Sequence, residues 1–279
     1  MDPDRTDSRP LSKSSGSSAA SVTEHPVTTS PADEFEYKMD HQYRGVALVT
    51  NHTTFDRQLG VPSRDGSAED RDAICGALRR LRFEVLVFDD LSKGELFKEL
   101  QLVANRDHRH NDCLVVVVLT HGGNGKLYAS DGAYEAERLW KLFVGDACPT
   151  LIGKPKLLFI QTCRGNPRTD AAATRKRRVP DAIDSRESTA THQYTIPTMA
   201  DLLVGYSTYD SQDSWLSPLA GSHYLRSLAT NLYKYGHSMD LPNLLALVAK
   251  DVACGDREGP KQIPYSVSTL TKDLYFPLR

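Results

Sequence analysis

The sequence predicts an α/β fold, a mostly parallel sheet covered by helices on both faces. Three observations lead there. Runs such as Cys113-Leu114-Val115-Val116-Val117-Val118-Leu119-Thr120 and Lys156-Leu157-Leu158-Phe159-Ile160 are apolar at nearly every position, which marks strands buried on both faces. Segments of helical periodicity alternate with them, the pattern of a sheet wrapped by helices. The two runs end in His121-Gly122-Gly123 and Gln161-Thr162-Cys163-Arg164-Gly165, and ligands of open parallel sheets bind beyond the carboxyl ends of the strands.

The elements follow in order. Residues 1–33 are rich in Ser, Thr, Pro and Asp, cannot offset their ordering entropy, and read as a disordered leader. Arg44 to Asn51 predicts a first strand. Ser67 is expected to cap a helix reaching Leu81, with Ile74, Leu78 and Leu81 on one stripe,. Phe83 to Phe88 is a second strand, and Ser92 caps a helix carrying Leu96, Leu100 and Val103,. The strand ending at His121 comes next, then a hairpin around Lys126 to Gly132, a helix near Glu135 to Phe143, and the strand 156–160. Residues 166–195 hold Arg175-Lys176-Arg177-Arg178 and no apolar periodicity, so a mobile loop is expected, its basic run a solvated face,. Asp201 to Ser207 predicts a strand, Gly221 to Tyr235 and Leu241 to Ala253 helices, and 261–264 with 269–276 a closing pair of strands,.

Composition narrows the function. The 279 residues, 39% apolar and 25% charged, suit one domain of about 200–250 residues with a tail. A net charge of −2 gives no electrostatic case for nucleic acid or an anionic membrane. No apolar run approaches the ~20 residues of a membrane span. The five cysteines are odd in number and form no C-x-x-C pair, which fits reduced thiols in the cytoplasm better than disulfides or structural zinc. Cys75, Cys113, Cys148 and Cys254 read as packing residues.

Cys163 differs in its setting. Its strand carries the thiol to the cleft end of the sheet, and a second such strand carries the imidazole of His121. A thiol beside a histidine is the constellation of nucleophilic catalysis. Gly122 leaves the backbone behind the histidine open.

Several segments together resemble the caspases, cysteine endopeptidases directed at aspartate. They are QTCRG (161–165), THGG (120–123), the run Arg64, Gly66, Ser67 and Asp70, the strand DLLVGYST (201–208), and the closing KQIPYSVSTLTKDLYFP. The resemblance covers about residues 36 to 279. It implies a three-layer sandwich with a six-stranded sheet, a large subunit (34–184) bearing His121 and Cys163, and a small subunit (185–279). It implies that such units form a homodimer through the last strand, and heteromers with other caspases follow from the same edge. The short leader is similar to that of effector members acting in apoptosis.

The resemblance also assigns roles. Cys163 is the nucleophile, His121 the proton carrier, and Gly122 an oxyanion donor; no metal or organic cofactor is needed. Arg64 and Gln161 match two positions that hold the substrate aspartate. The third departs from the family: Ser214-Trp215-Leu216 stands where Ser-Trp-Arg is usual, with Asp213 and His223 as further departures. Trp215 remains as an apolar wall. Loss of a charge-assisted hydrogen bond at 216 weakens aspartate binding about 10- to 100-fold. Asp181-Ala182-Ile183-Asp184 before Ser185 is the expected processing site of a zymogen, with Asp33 a second. An altered grip equally suits a weakly active homologue that binds and regulates active caspases.

Overall fold

The computed structural model describes residues 35–123, 125–163, 199–208, 216–217, 221–254 and 262–278, with the main chain alone at 163, 216 and 217. Asp33, Asp184, Asp213 and Trp215, and the segments 1–33 and 166–195, lie outside the described residues.

In chain order the elements are β1 (Tyr43–Asn51), α1 (Ser67–Arg80), β2 (Glu84–Asp89), α2 (Lys93–Ala104), β3 (Asn111–Gly123), β4 (Lys126–Ala129), β5 (Gly132–Glu135), α3 (Arg138–Lys141), β6 (Lys156–Cys163), β7 (Leu202–Tyr206), β8 (Leu216–Ser217), β9 (Gly221–Ser222), α4 (His223–Tyr235), α5 (Leu241–Cys254) and β10 (Tyr265–Ser268). The main sheet runs β10-β7-β6-β3-β1-β2. Every pairing along it is parallel except that of β10 with β7. The β4–β5 hairpin continues antiparallel from the end of β3.

Alternation along the strands divides the core into two layers. Ala47, Val49, Val115, Val117, Leu119, Leu157 and Phe159 pack with Ile74 and Leu78 of α1, Leu225 and Leu228 of α4, and Leu244 and Val248 of α5. Val46, Leu48, Leu114, Val116, Val118, Leu158 and Ile160 face the other way, onto Leu96, Leu100 and Val103 of α2 and onto Leu139 and Phe143. Both faces of β1, β3 and β6 are therefore dry. That is why the central runs of these strands, residues 46–49, 113–119 and 157–160, are apolar throughout,. Among the described residues no helix is long and apolar enough to cross a membrane.

Several boundaries differ from the expectation. Ser67 does not cap α1: it is the first helical residue, its hydroxyl lies 2.8 Å from Thr53 Oγ1, and Gly66 holds the cap position at φ 89°. Ser92 does cap α2, in a capping box with Glu95,. The helix expected over 135–143 is confined to Arg138–Lys141, because Glu135 pairs with Lys126 in the hairpin. α4 starts at His223, since Gly221 and Ser222 pair with β8. The closing strand is Tyr265–Ser268, between the two segments expected. Cys75, Cys113 and Cys148 are buried, but Cys254 is exposed and does not pack.

Candidate active site

Backbone register brings the two chemical positions together. β3 and β6 pair in parallel from Leu114↔Lys156 to His121↔Cys163, so positions 121 and 163 are direct neighbours at the carboxyl end of the sheet. Adjacent strands lie about 4.7–4.9 Å apart. The odd-numbered core residues of β3 and β6 belong to the layer shared with α1 and α4. Positions 121 and 161 continue that alternation.

His121 is 6% exposed, and its Nε2 lies 2.8 Å from the carbonyl oxygen of Pro62. A carbonyl only accepts, so Nε2 carries the proton and Nδ1 is the basic nitrogen of the neutral ring. The Phe55 ring lies 5.0 Å from the imidazole, tilted by 45°, and limits its rotation. Sequence reasoning did not foresee the Pro62 carbonyl as the partner of His121, because any residue type can supply a carbonyl.

The loop bearing Pro62 is itself fixed. Asp90, at φ 51°, accepts from the Thr53 and Thr54 amides and from the Thr54 hydroxyl. Arg64 N–H donates to Thr53 O at 2.9 Å, and Ser67 N–H to Arg64 O at 3.1 Å. One acidic side chain after β2 thereby positions the chain between β1 and α1.

Arg64 and Gln161 are both sealed from solvent, at 1% and 0% exposure. Arg64 Nη1 donates to the His52 carbonyl at 3.1 Å. Taking a guanidinium out of water is costly unless an anion or several acceptors compensate. Gln161 stands two positions before Cys163 on β6, beside Leu119 of β3.

Gly122 is demanded by space. A Cβ there would lie 2.8 Å from Leu127 Cδ2, 2.8 Å from Thr162 Cγ2 and 2.9 Å from Lys126 O. The turn from β3 into β4 runs that tightly because Gly122 pairs with Leu127. Thr162 is fixed on its other side by Ser207, whose hydroxyl accepts from Thr162 N–H at 3.2 Å.

Apart from the main sheet, β8 and β9 form a short antiparallel pair, Leu216↔Ser222 and Ser217↔Gly221. The main chain of Leu216 is thus part of a hairpin next to α1 and α4. Among the described residues no group of three or more His, Cys, Asp or Glu side chains is arranged to hold a metal ion.

A family model described as the caspase domain matches residues 44–275. The chain belongs to the caspase family. Among relatives, it is 38% identical over 257 residues to Caspase-6 of Gallus gallus, covering 86% of this chain and 83% of that protein. It is 39% identical over 249 residues to Caspase-1 of Spodoptera frugiperda, covering 86% and 81%. The crystal structure of Caspase-1 from Spodoptera frugiperda superposes with a TM-score of 0.77 at 36% identity, covering 89% of this chain and 96% of that one. The caspase domain thus takes in the whole sheet and both helical layers described above. The family is one of cysteine endopeptidases that cut after aspartate.

Proposed function

We propose that this caspase cleaves proteins after aspartate, with Cys163 as nucleophile and His121 as proton carrier. The observation that carries the reading is the register His121↔Cys163 at the cleft end of two adjacent parallel strands. In the proposed cycle, the Cys163 thiol passes its proton to His121 Nδ1, and sulfur attacks the main-chain carbonyl carbon of the substrate aspartate. Amide groups of Gly122 and Cys163 take up the negative charge on oxygen. The C–N bond then breaks, His121 returns its proton to the departing amine, and a thioester is left. Water gives a proton to His121 and attacks that thioester; the thiolate leaves and is reprotonated. Holding Nε2–H on the Pro62 carbonyl keeps one tautomer through the cycle,. Removing one oxyanion donor typically costs about 2.7–4 kcal/mol in the barrier.

Arg64 and Gln161 bind the substrate carboxylate in this reading, supported by their burial beside the reacting strands. A desolvated guanidinium gains most from an anionic guest. Leu216 and Trp215 contribute an apolar wall. The protein is a cytoplasmic zymogen acting in apoptosis, activated by cleavage at Asp184 and at Asp33, and it pairs through β10 as a homodimer.

A second reading has a specific observation behind it. Leucine at 216 removes the cation that grips the substrate in the family, which suits a weakly active homologue that forms heteromers with active caspases and regulates them. One experiment separates the two. The chain cut after Asp184 is assayed on a peptide library with a Cys163→Ala control, alone and mixed with an active caspase. Turnover of aspartate-terminated peptides that vanishes in the control supports the enzyme. No turnover, with stable binding to the partner, supports the regulator. If weak grip is the defect, Leu216→Arg raises kcat/KM on such peptides about 10- to 100-fold; an unchanged value counts against the assignment of that position.

A further inference from the structure

Asp70 lies on the buried face of α1 and is fully shielded from solvent. Its two carboxylate oxygens accept from one amide, Ser222 N–H, at 2.8 Å and 3.0 Å. The donor lies 152 positions away in sequence. Ser222 closes β9 and also begins α4, where its hydroxyl accepts from Leu225 N–H at 3.3 Å. Next to it, Gly221 sits at φ 70°, and a Cβ there would come within 2.4 Å of Asp70 Oδ1. The backbone at 221 is therefore pressed against the carboxylate, and only glycine permits the approach.

We propose that Asp70 is a positioning residue, the tether that fixes the β8–β9 hairpin, and with it the main chain of Leu216, to the Arg64 side of the cleft. The step from tether to substrate grip rests on the proteolytic function proposed above. Arg64 stands just before α1 and Asp70 in its first turn, and Ser222 pairs directly with Leu216. The segments of Arg64 and Leu216 come from distant parts of the chain, and this carboxylate joins them through Ser222.

The tether is sensitive to protonation. Burial pushes the Asp70 carboxyl up to about 6, opposed by the Ser222 hydrogen bonds and by the charges of Arg64 before α1 and Arg226 of α4. His223, next after Ser222, is the adjoining titratable group on α4. A neutral carboxyl accepts more weakly and offers one carbonyl oxygen in place of two equivalent acceptors. The hairpin accordingly loosens as pH falls through about 6.

The test follows the Ser222 amide by ¹H–¹⁵N spectroscopy in the full chain from about pH 8 to about pH 4.5. A midpoint near 6 is expected in the wild type and in His223→Gln, and none in Asp70→Asn. Hydrogen exchange over 216–222 should be faster in Asp70→Asn, and KM for an aspartate-terminated peptide should rise about 3- to 10-fold with kcat changed far less. An amide that does not titrate in the wild type, or that titrates equally in Asp70→Asn, overturns the proposal. So does unaltered exchange in that variant. The wild-type titration stands even if a variant folds poorly. Absence of turnover in every protein would sink the protease reading, while the amide and exchange data would still judge the tether.

Discussion

Position 122 shows how little freedom the residues of the cleft have. Three atoms from two directions stand within 3 Å of where a Cβ would be placed, and one of them is a main-chain oxygen that cannot swing aside. Gly122→Ala should cost about 1–3 kcal/mol of stability. It should also lower kcat by at least about tenfold if the amide at 122 serves as an oxyanion donor. Thermal unfolding and steady-state kinetics on the same preparation check the two effects. A variant with wild-type kcat would remove Gly122 from the oxyanion site. The sequence pointed to Cys163 and His121 through a thiol and an imidazole at strand ends, and to Gln161 and Arg64 through the family resemblance alone. It missed Pro62, whose contribution is a carbonyl, and Asp90, whose part is to hold a loop. Cys254 was misread because a cysteine at a helix end gives no sign of which way it faces.

Among the elements, β1 depends on a close approach at its start. Gly45 adopts φ 121°, and a Cβ would lie 1.9 Å from the Cys113 carbonyl oxygen of β3. Both the conformation and the space forbid a side chain. Gly45→Ala should therefore lower the melting temperature sharply, by more than Gly76→Ala on α1, where an added Cβ meets nothing within 4 Å. Equal melting temperatures for the two variants would refute this account of β1. The central strands were legible because burial on both faces demands Val, Leu and Ile throughout. The last strand was not. Tyr265–Ser268 pairs with β7 while remaining largely exposed, so hydrogen bonding rather than burial defines it. Leu274 and Phe276 are buried without pairing, and their apolar spacing imitates a strand. The expected 135–143 helix failed for a related reason: Tyr134 is buried against α2 through the hairpin, with its ring 5.4 Å from Phe97.

For the molecule as a whole, a buried ion pair ties β1 to β3, and its guanidinium also reaches the closing segment of the chain. Asp112 accepts from Arg44 Nη1 at 3.0 Å and from the His41 amide at 2.9 Å. The same guanidinium donates to the carbonyls of Leu81 and Pro277. Breaking a buried pair from one side leaves an uncompensated charge, so Asp112→Ala should destabilise by about 3–5 kcal/mol, measurable by urea unfolding. A loss below about 1 kcal/mol, the range of exposed pairs, would contradict that view. Asp70 sets a second expectation at this scale. Its carboxyl, pushed up to about 6 in the fold, lies above the 3.8 of a free aspartate side chain, so the native state binds the extra proton between those values. Ionised Asp70 costs stability above about 6, and the cost recedes as pH falls toward about 4. The wild type should gain stability relative to Asp70→Asn from neutral pH to pH about 5, even as its Ser222 contact weakens. Melting curves of both proteins across that interval check the sign.

Sheet pairing also crosses the long interval between β6 and β7. Lys156 to Ile160 align with Leu202 to Tyr206, and Tyr37 near the start reaches Asp201 at 2.7 Å. A peptide bond severed anywhere from 164 to 198 would part the covalent chain without parting the particle. Such nicked material would migrate as two bands in detergent and elute as one species from a sizing column.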